Sequence, residues 1–261
     1  MALITFISDL GLKDFYVAAV KGAIYHRYPV AQVIDITHEV SEYHLLQCAF
    51  LLRSVYKSFP KGTVHLVGCD PSGGLQKGGI VMETEGHYLV GADNGILYLT
   101  TEGNYEGCYH ISNKNLFPDQ IQPSFMVRDV FAPAAALLAS GAAPSEIGES
   151  CDPKKLIWGT PGQRSNILMG SILYIDHFGN CITNITRELF IQEKAGRPFR
   201  ITVRSLEFKR IYFSYADVEP GEPVALFGSH QHLEFAINLG SAKNLLGLAV
   251  DSNFSIEFLN A

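Results

Sequence analysis

The 261-residue sequence contains a single tryptophan and four methionines, and its five cysteines are odd in number with no CxxC spacing. An odd set without paired spacing indicates neither a disulfide framework nor a zinc site. The sequence also lacks an apolar run near the roughly 18 residues of a membrane-spanning helix, and it has no basic leader before an apolar segment. We therefore expect a protein of a reducing compartment, the cytoplasm, without membrane contact.

Positive charge is also in deficit, because 20 lysines and arginines face 26 aspartates and glutamates, for a net charge of −6. This deficit argues against broad binding to the phosphate backbone of nucleic acids. The acidic excess lies in residues 1–150, which hold 9 basic and 15 acidic side chains, whereas residues 151–261 hold 11 of each. Hydrophobic residues make up 47% of the chain, a share typical of compact folded domains and not of disordered chains.

Several motifs that would fix a reaction are missing. The sequence has no GxxxxGK[ST] or GxGxxG run, so nucleoside triphosphates and dinucleotides lose support as ligands. It has no GxSxG or HExxH run either. His177 has no histidine or carboxylate partner at ligand spacing, so we expect no metal. These motifs alone therefore assign no chemistry.

Strand and helix patterns alternate in residues 1–150. Apolar strands are predicted at Leu3–Ser8, Gln32–Ile36 and Thr63–Cys69, with helices between them. Strands that are apolar throughout and separated by helices indicate an α/β domain with a mostly parallel sheet. Residues 80–91 have the pattern of a β-hairpin. Residues 151–165, which are rich in proline, glycine and lysine, are predicted to be a linker.

After this linker, residues 166–261 are predicted to form a smaller all-β, barrel-like domain, since short β-rich runs alternate with turns. The predicted strands of this domain are Gly170–Asp176, Phe199–Val203, Ile211–Tyr215, Val224–Phe227, Leu233–Ile237 and Ser255–Leu259.

Three carboxylates, Asp9, Asp35 and Asp70, directly follow or end predicted strands. Ligands of open α/β sheets bind beyond the carboxyl ends of the strands, so such positions are candidate binding positions. Each aspartate is alternatively a turn former or a helix cap. Nearby glycines favour a ligand at Asp9 and Asp70, because a glycine backbone allows close approach. Asp35 has the more structural context.

Two further runs combine glycine with polar side chains. The loop of residues 71–79 is glycine-rich and carries Lys77. In the second domain, Asp176, Phe178 and Asn180 lie in a glycine-containing turn between two strands. An acid, an aromatic ring and an amide in one turn suit binding of a heterocycle, although an ordinary hairpin turn is the alternative.

Six runs, in this order along the chain, resemble one family: Ile7–Gly11 (ISDLG), Val33–His38 (VIDITH), Phe59–Val64 (FPKGTV), Asp93–Gly95 (DNG), Arg128–Pro133 (RDVFAP) and Ile175–Asn180 (IDHFGN). The chain resembles, nearly end to end, the S-adenosyl-L-methionine (SAM) hydroxide adenosyltransferases, relatives of the SAM-dependent fluorinase and chlorinase. The resemblance implies an α/β domain followed by a β-barrel-like domain. It also implies a homotrimer that binds SAM between subunits, with SAM as substrate and no separate cofactor.

The resemblance assigns substrate contacts to positions in both domains. Asp9 would hold the ribose hydroxyls, Asp176 the methionine amino group and Asn180 the adenine edge. Phe178 and Tyr215 would cover adenosine. The remaining implied substrate-binding positions are Tyr43, Phe125, Met126, Val127, Ser229, Glu234, Ile237 through its backbone, and Asn238. Relatives have an arginine directly after the serine that corresponds to Ser229, and this chain has His230 there.

The implied reaction is attack of water on the ribose C5′ of SAM, which releases methionine and adenosine. Hydrolases of the family resemble one another in an Asp-Arg-His set around the water, and the corresponding residues here are Asp70, Lys77 and Met126. Lysine keeps the positive charge but loses the planar fork of arginine. A thioether is a weak acceptor that donates nothing, and composition alone favours a core position for Met126.

We therefore expect a SAM hydrolase in which Asp70 and Lys77 are catalytic. The alternative is a catalytically impaired protein that binds SAM or adenosine, and a third hypothesis is attack by a different nucleophile. Halide chemistry is not expected, because the chain lacks the halogenase insertion and the aromatic residue that halogenases have in place of Asp70.

Overall fold

The structure is a computed structural model that describes residues 3–70, 78–116 and 123–259. The chain divides between Trp158 and Gly159 into two compact units. Within the described ranges, no helix is long and apolar enough to cross a membrane.

The first unit contains a six-stranded sheet and several short helices. Its strands are β1 (Leu3–Ser8), β2 (Gln32–Thr37), β3 (Val64–Gly68), β4 (Gly79–Thr84), β5 (His87–Ala92) and β6 (Gly107–His110). Its α-helices in the described ranges are α1 (Tyr16–Arg27), α2 (Leu45–Val55), α3 (Ile96–Thr101), α4 (Ala132–Ala139) and α5 (Pro144–Ile147). Single turns of other helix types lie at Tyr56–Ser58, Lys114–Leu116 and Pro123–Phe125 (3₁₀) and at Val127–Phe131 (π).

The sheet is mixed, with the strand order β2-β1-β3-β5-β4-β6. The pairings of β1 with β2, β1 with β3 and β3 with β5 are parallel. The pairings of β4 with β5 and with β6 are antiparallel. The prediction of a mostly parallel sheet therefore needs correction. The antiparallel pairing of β4 with β5 follows from the tight turn at Glu85 and Gly86, where φ is 49° and 82°, because a two-residue hairpin reverses the chain direction.

Two apolar cores cover the two faces of this sheet. On β1, Ile4 and Phe6 belong to one core and Ile7 to the other, because successive side chains of a strand point to opposite faces. Helices α1 and α4 contribute to the first core, and helices α2 and α3 contribute to the second. The strands β1 and β3 are thus buried on both faces.

The first part of the predicted linker packs on the first unit. The indole Nε1 of Trp158 donates to the carbonyl oxygen of Leu99 at 3.2 Å. The backbone N–H of Lys154 donates to Oδ1 of Asp93 at 2.7 Å. Residues 151–158 therefore belong structurally to the α/β unit, although they have no regular secondary structure.

The second unit contains an eight-stranded antiparallel sheet. Its strands are β7 (Gly162–Arg164), β8 (Ile167–Ile175), β9 (Cys181–Thr186), β10 (Phe199–Val203), β11 (Leu206–Phe208), β12 (Pro223–Phe227), β13 (His232–Ile237) and β14 (Asn253–Phe258). Two α-helices, α6 (Arg187–Lys194) and α7 (Ala242–Leu245), and a 3₁₀ turn at Tyr215–Asp217 connect the strands.

This sheet curls around one core, which makes the unit barrel-like. The strand order is β11-β10-β14-β8-β9-β13-β12, with β7 paired to β8. The rings of Phe208 on β11 and Phe235 on β13 stack with their centroids 5.6 Å apart, although four strands separate β11 from β13 in the sheet order. All strands from β8 to β14 contribute side chains to the same core. The predicted barrel-like domain is therefore observed.

Candidate functional site

Asp9 follows β1, and its carboxylate connects three segments of the first unit. Its Oδ2 accepts hydrogen bonds from the backbone N–H groups of Tyr43 and Asp70, each at 3.2 Å. Both donors have left-handed backbone, with φ of 60° at Tyr43 and 40° at Asp70, which is uncommon for residues other than glycine. One carboxylate oxygen thus fixes the ends of β1 and β3 together at one edge of the sheet.

Asp70 is held on its other side by Asn94, a residue that is only 6% exposed. The amide Nδ2 of Asn94 donates to the carbonyl oxygens of Cys69 at 3.1 Å and Asp70 at 3.0 Å. Its Oδ1 accepts from the backbone N–H of Ile96 at 3.1 Å. Asn94 belongs to the family-like run of residues 93–95 and was not predicted to be a site residue. The available signal was an asparagine one residue before a glycine, a pattern typical of a side chain that bonds to nearby backbone.

Asp35 lies in a different polar cluster, as its structural context predicted. Its carboxylate oxygens lie 2.6 Å from Nζ of Lys21 and 3.1 Å from Nε2 of His38. Burial alone would raise the pKa of Asp35, but the bonds to Lys21 and His38 outweigh it and lower that pKa. The Nδ1 of His38 bonds to Oγ of Ser8 at 2.7 Å. Asp35 is therefore engaged in an ion pair that ties β2 to α1.

The segment from Phe125 to Val127 lies mainly inside the first unit. Met126 is 6% exposed, Val127 is fully buried, and both belong to the core that contains β1 and β3. The half-buried ring of Phe125 meets Tyr16 edge-on at 5.4 Å and has the guanidinium of Arg128 over its face at 4.8 Å. The thioether of Met126 is thus packed among apolar side chains.

The predicted residues of the second domain surround a cavity of about 570 Å³. This volume lies within the range of about 300–1,000 Å³ typical of small-molecule sites. The cavity is lined by Asp176, Phe178, Asn180, Tyr215, Ile237, Asn238, Leu239 and Gly240. Six of these residues were predicted from the sequence to bind substrate. Leu239 and Gly240 were not, because neither has side-chain chemistry that identifies a ligand contact.

The turn between β8 and β9 is braced by its own polar residues. The two oxygens of the Asp176 carboxylate accept from the backbone N–H of Asn180 at 2.8 Å and from its Nδ2 at 3.0 Å. Gly179 has φ of 82°, and a Cβ there would lie 2.1 Å from Oγ of Ser241. Phe178, by contrast, is 73% exposed, so its ring is available to cover a ligand.

A second polar chain lies beside this cavity. The hydroxyl of Tyr215 donates to Oε1 of Glu234 at 2.7 Å, and Oε2 of Glu234 lies 3.1 Å from Nε2 of His230. Glu234 is only 2% exposed. Burial and the bond to this carboxylate raise the pKa of Tyr215. Gly228 permits the arrangement, since a Cβ there would lie 2.5 Å from Nε2 of His230.

Three other predicted positions, Ser229, Tyr43 and Lys77, are not among these six, and Asn238, which is, also bonds within its own unit. Ser229 is an exposed residue of the turn between β12 and β13 and does not line the cavity. The side chain of Asn238 donates to the carbonyl oxygen of Val218 at 2.7 Å. Tyr43 is 72% exposed. Lys77 lies outside the described residues.

Both units match models of domains from one protein family. The chain matches the model of the SAM hydroxide adenosyltransferase N-terminal domain over residues 4–148 and that of the C-terminal domain over residues 170–255. It is 33% identical to an (R)-S-adenosyl-L-methionine hydrolase of Thermus thermophilus, with 95% of this chain and 96% of the relative covered. It is 27% identical to a fluorinase of an Actinoplanes species, with 90% and 91% covered.

A solved structure of an uncharacterised conserved protein from Thermotoga maritima has the same fold. Its TM-score is 0.89 at 32% identity, with 97% of this chain and 99% of the other covered. The fold and the cavity thus define a two-domain protein in which an α/β domain precedes a β-barrel-like domain that contains a small-molecule-sized cavity. The chain belongs to the SAM hydroxide adenosyltransferase family.

Proposed function

We propose that the protein hydrolyses SAM at the ribose C5′ and releases adenosine and L-methionine. Family membership over both domains supports this, together with a relative named (R)-S-adenosyl-L-methionine hydrolase at 33% identity. The observation that carries the proposal is the cavity of the second domain. It combines a carboxylate, two primary amides and two aromatic rings, which match the ammonium, the adenine edge and the planar ring of SAM.

In this proposal, each group of the cavity has a distinct task. Asp176 accepts from the methionine ammonium, and its bonds to Asn180 keep the carboxylate in a fixed orientation. Asn180 bonds the adenine edge, while Phe178 and Tyr215 cover the adenosine. In the first domain, Asp9 accepts from the ribose hydroxyls, because a carboxylate can accept two hydroxyl protons.

The chemical step forms a bond between the water oxygen and C5′ and breaks the bond between C5′ and sulfur. The sulfonium leaves as neutral methionine, and the water loses one proton, which Asp70 accepts. Because the leaving group is already activated, the protein acts mainly by aligning water with the C5′–S bond and excluding bulk solvent. Lys77 is the proposed second catalytic residue and orients that water.

Incubation of the purified protein with SAM in ¹⁸O-labelled water tests this reaction. We expect equimolar adenosine and methionine by chromatography, with ¹⁸O in the 5′-hydroxyl of adenosine by mass spectrometry. Asp70→Asn should abolish most of the turnover, whereas Asp251→Asn, at an exposed turn of the second domain, should retain it. Adenosine formation no faster than in a protein-free sample would exclude hydrolysis.

A second candidate function is binding of SAM or adenosine without turnover. The packing of Met126 in the apolar core favours it, because no imidazole is available at this position to orient a water. Titration calorimetry distinguishes the two functions. Saturable binding that Asp176→Asn weakens, without adenosine production, would support the binder, and absence of binding would contradict both candidates.

We also propose that the protein is a cytoplasmic homotrimer with its ligand bound between subunits, as the family resemblance implies. The strong exposure of the large rings of Tyr43 and Phe178 supports an additional partner surface. The five unpaired cysteines support a reducing compartment. Light scattering coupled to size-exclusion chromatography should give three times the chain mass, and a monomeric mass would contradict the trimer.

A further inference from the structure

The backbone around Asp70 is fixed from both sides by side chains. Its N–H donates to Oδ2 of Asp9 at 3.2 Å, and its carbonyl oxygen accepts from Nδ2 of Asn94 at 3.0 Å. The same amide reaches the preceding carbonyl, that of Cys69, at 3.1 Å. Every backbone polar group adjacent to the Asp70 Cα is therefore bonded to a side chain from another segment.

The geometry of these bonds selects the conformation of Asp70. In an extended chain, successive carbonyl groups point in opposite directions, so one amide cannot bond two in a row. In a helical conformation of either hand, they point the same way. The amide of Asn94 bonds two successive carbonyls, so these bonds exclude an extended backbone at Asp70 and are compatible with its observed φ of 40°. A left-handed residue that is not glycine carries a steric cost, which the surrounding bonds must offset.

Asn94 is itself rigid. It is 6% exposed, and its Oδ1 accepts from the N–H of Ile96 at the start of α3. Both amide hydrogens are used by the two carbonyls. The side chain therefore connects the first residue of α3 to the backbone that follows β3.

We propose that Asn94 is a positioning residue for the hydrolysis, because it holds Asp70 in the left-handed conformation that directs the Asp70 carboxylate to the attacking water. This inference rests on the proposed function. In this role Asn94 acts through the backbone of Asp70, to which its amide is bonded.

Asn94→Asp is the most discriminating substitution, because it preserves shape and the acceptor for Ile96. It replaces the amide NH₂ by a carboxylate oxygen that faces two carbonyl oxygens. We expect kcat to fall by about 100-fold, the effect of a misplacement of about 1 Å, with a much smaller change in KM. At acidic pH, the protonated carboxyl of the new aspartate can donate to one of the two carbonyls. The ratio of the variant's kcat to that of the unmodified protein should therefore rise as the pH falls.

Asn113→Asp is the matched control. Asn113 also donates from Nδ2 to a carbonyl oxygen, that of Glu146 at 2.8 Å, and its Oδ1 also accepts from an N–H two residues on. It should leave kcat unchanged at every pH. A similar kcat loss in both variants, or equal kcat for Asn94→Asp and the unmodified protein below their melting temperatures, would overturn the proposal.

Crystal structures give a test that does not depend on turnover. In Asn94→Asp, we expect φ of Asp70 to leave the left-handed region and the distance from its nitrogen to Oδ2 of Asp9 to exceed hydrogen-bonding range. An unchanged backbone at Asp70 would overturn the inference. If the unmodified protein does not hydrolyse SAM, the proposed function fails, and the crystal structures still decide whether Asn94 sets this conformation.

Discussion

The partly buried contact between Tyr215 and Glu234 allows a quantitative prediction for the substitution Tyr215→Phe. The hydroxyl donates at 2.7 Å to a carboxylate that is 2% exposed, and phenylalanine removes only this hydroxyl. A hydrogen bond to a charged group contributes about 1.5–3 kcal/mol, and a buried acceptor left without its donor costs a similar amount. Tyr215 is 41% exposed, so water can partly replace its hydroxyl as a donor to Glu234. We therefore expect Tyr215→Phe to lower the free energy of unfolding by about 2 kcal/mol.

Urea unfolding followed by circular dichroism measures this loss as a lower midpoint with an unchanged slope. A double-mutant cycle with Glu234→Gln, which keeps an acceptor oxygen, isolates the contribution of the carboxylate charge to this contact, and we expect a coupling energy of about 1 kcal/mol. The raised pKa of Tyr215 adds a signature in pH. The folded state keeps the proton that the unfolded state loses, so stability falls as pH rises above about 10, and Tyr215→Phe should reduce this fall. Strictly additive single losses would refute the reasoning.

Three further predictions concern the first unit. The thiols of Cys108 and Cys151 lie 3.5 Å apart, so oxidised glutathione should join them, with a mass decrease of about 2 Da that Cys151→Ser prevents. Burial raises the pKa of both thiols, so the reaction should accelerate at alkaline pH, and a rate independent of pH would contradict this. Burial beside a second histidine lowers the pKa of His65 to about 3. The unfolded state therefore binds the extra proton first, and stability should fall by up to about 1.4 kcal/mol per unit as pH drops below about 6.5. His65→Gln should flatten this dependence in urea titrations, and an equally steep dependence in the variant would assign it to other groups. Gly95→Ala should lower the free energy of unfolding by about 2–4 kcal/mol, because φ is 99° and the new Cβ would lie 2.3 Å from Cγ of Leu156. A melting temperature equal to that of the unmodified protein would contradict this prediction.

The hydrophobic pattern predicted most strands, because a strand buried on one face has alternating apolar residues and a strand buried on both faces has consecutive ones. The strand predicted at Phe199–Val203 has the observed bounds of β10. The strand predicted at Ile211–Tyr215 was wrong. There, the side chain of Asp217 accepts from the N–H groups of Phe213 and Ser214, and these local bonds favour a 3₁₀ turn over a sheet ladder.

The contacts that assemble the site could not be predicted from local pattern. The carboxylate of Asp9 bonds to residues 34 and 61 positions away, and such pairs depend on strand order and register. The same holds for Tyr215 and Glu234, which lie on different elements. The hairpin predicted at residues 80–91 is confirmed by the antiparallel pairing of β4 with β5. The pairing of β4 with β6 depends on strand order, which local pattern does not give.

The double use of one oxygen in Asp9 limits how this family member can evolve. A substitution at Asp9 that altered its proposed contact with the ribose would also release the N–H groups of Tyr43 and Asp70. Selection for a new ligand would therefore meet a penalty in folding at this position, and adaptive changes should accumulate first at residues such as Phe178 and Leu239, whose exposed side chains carry no structural bond. Mutant libraries that hold Asp9 constant should retain more folded variants than libraries that vary it.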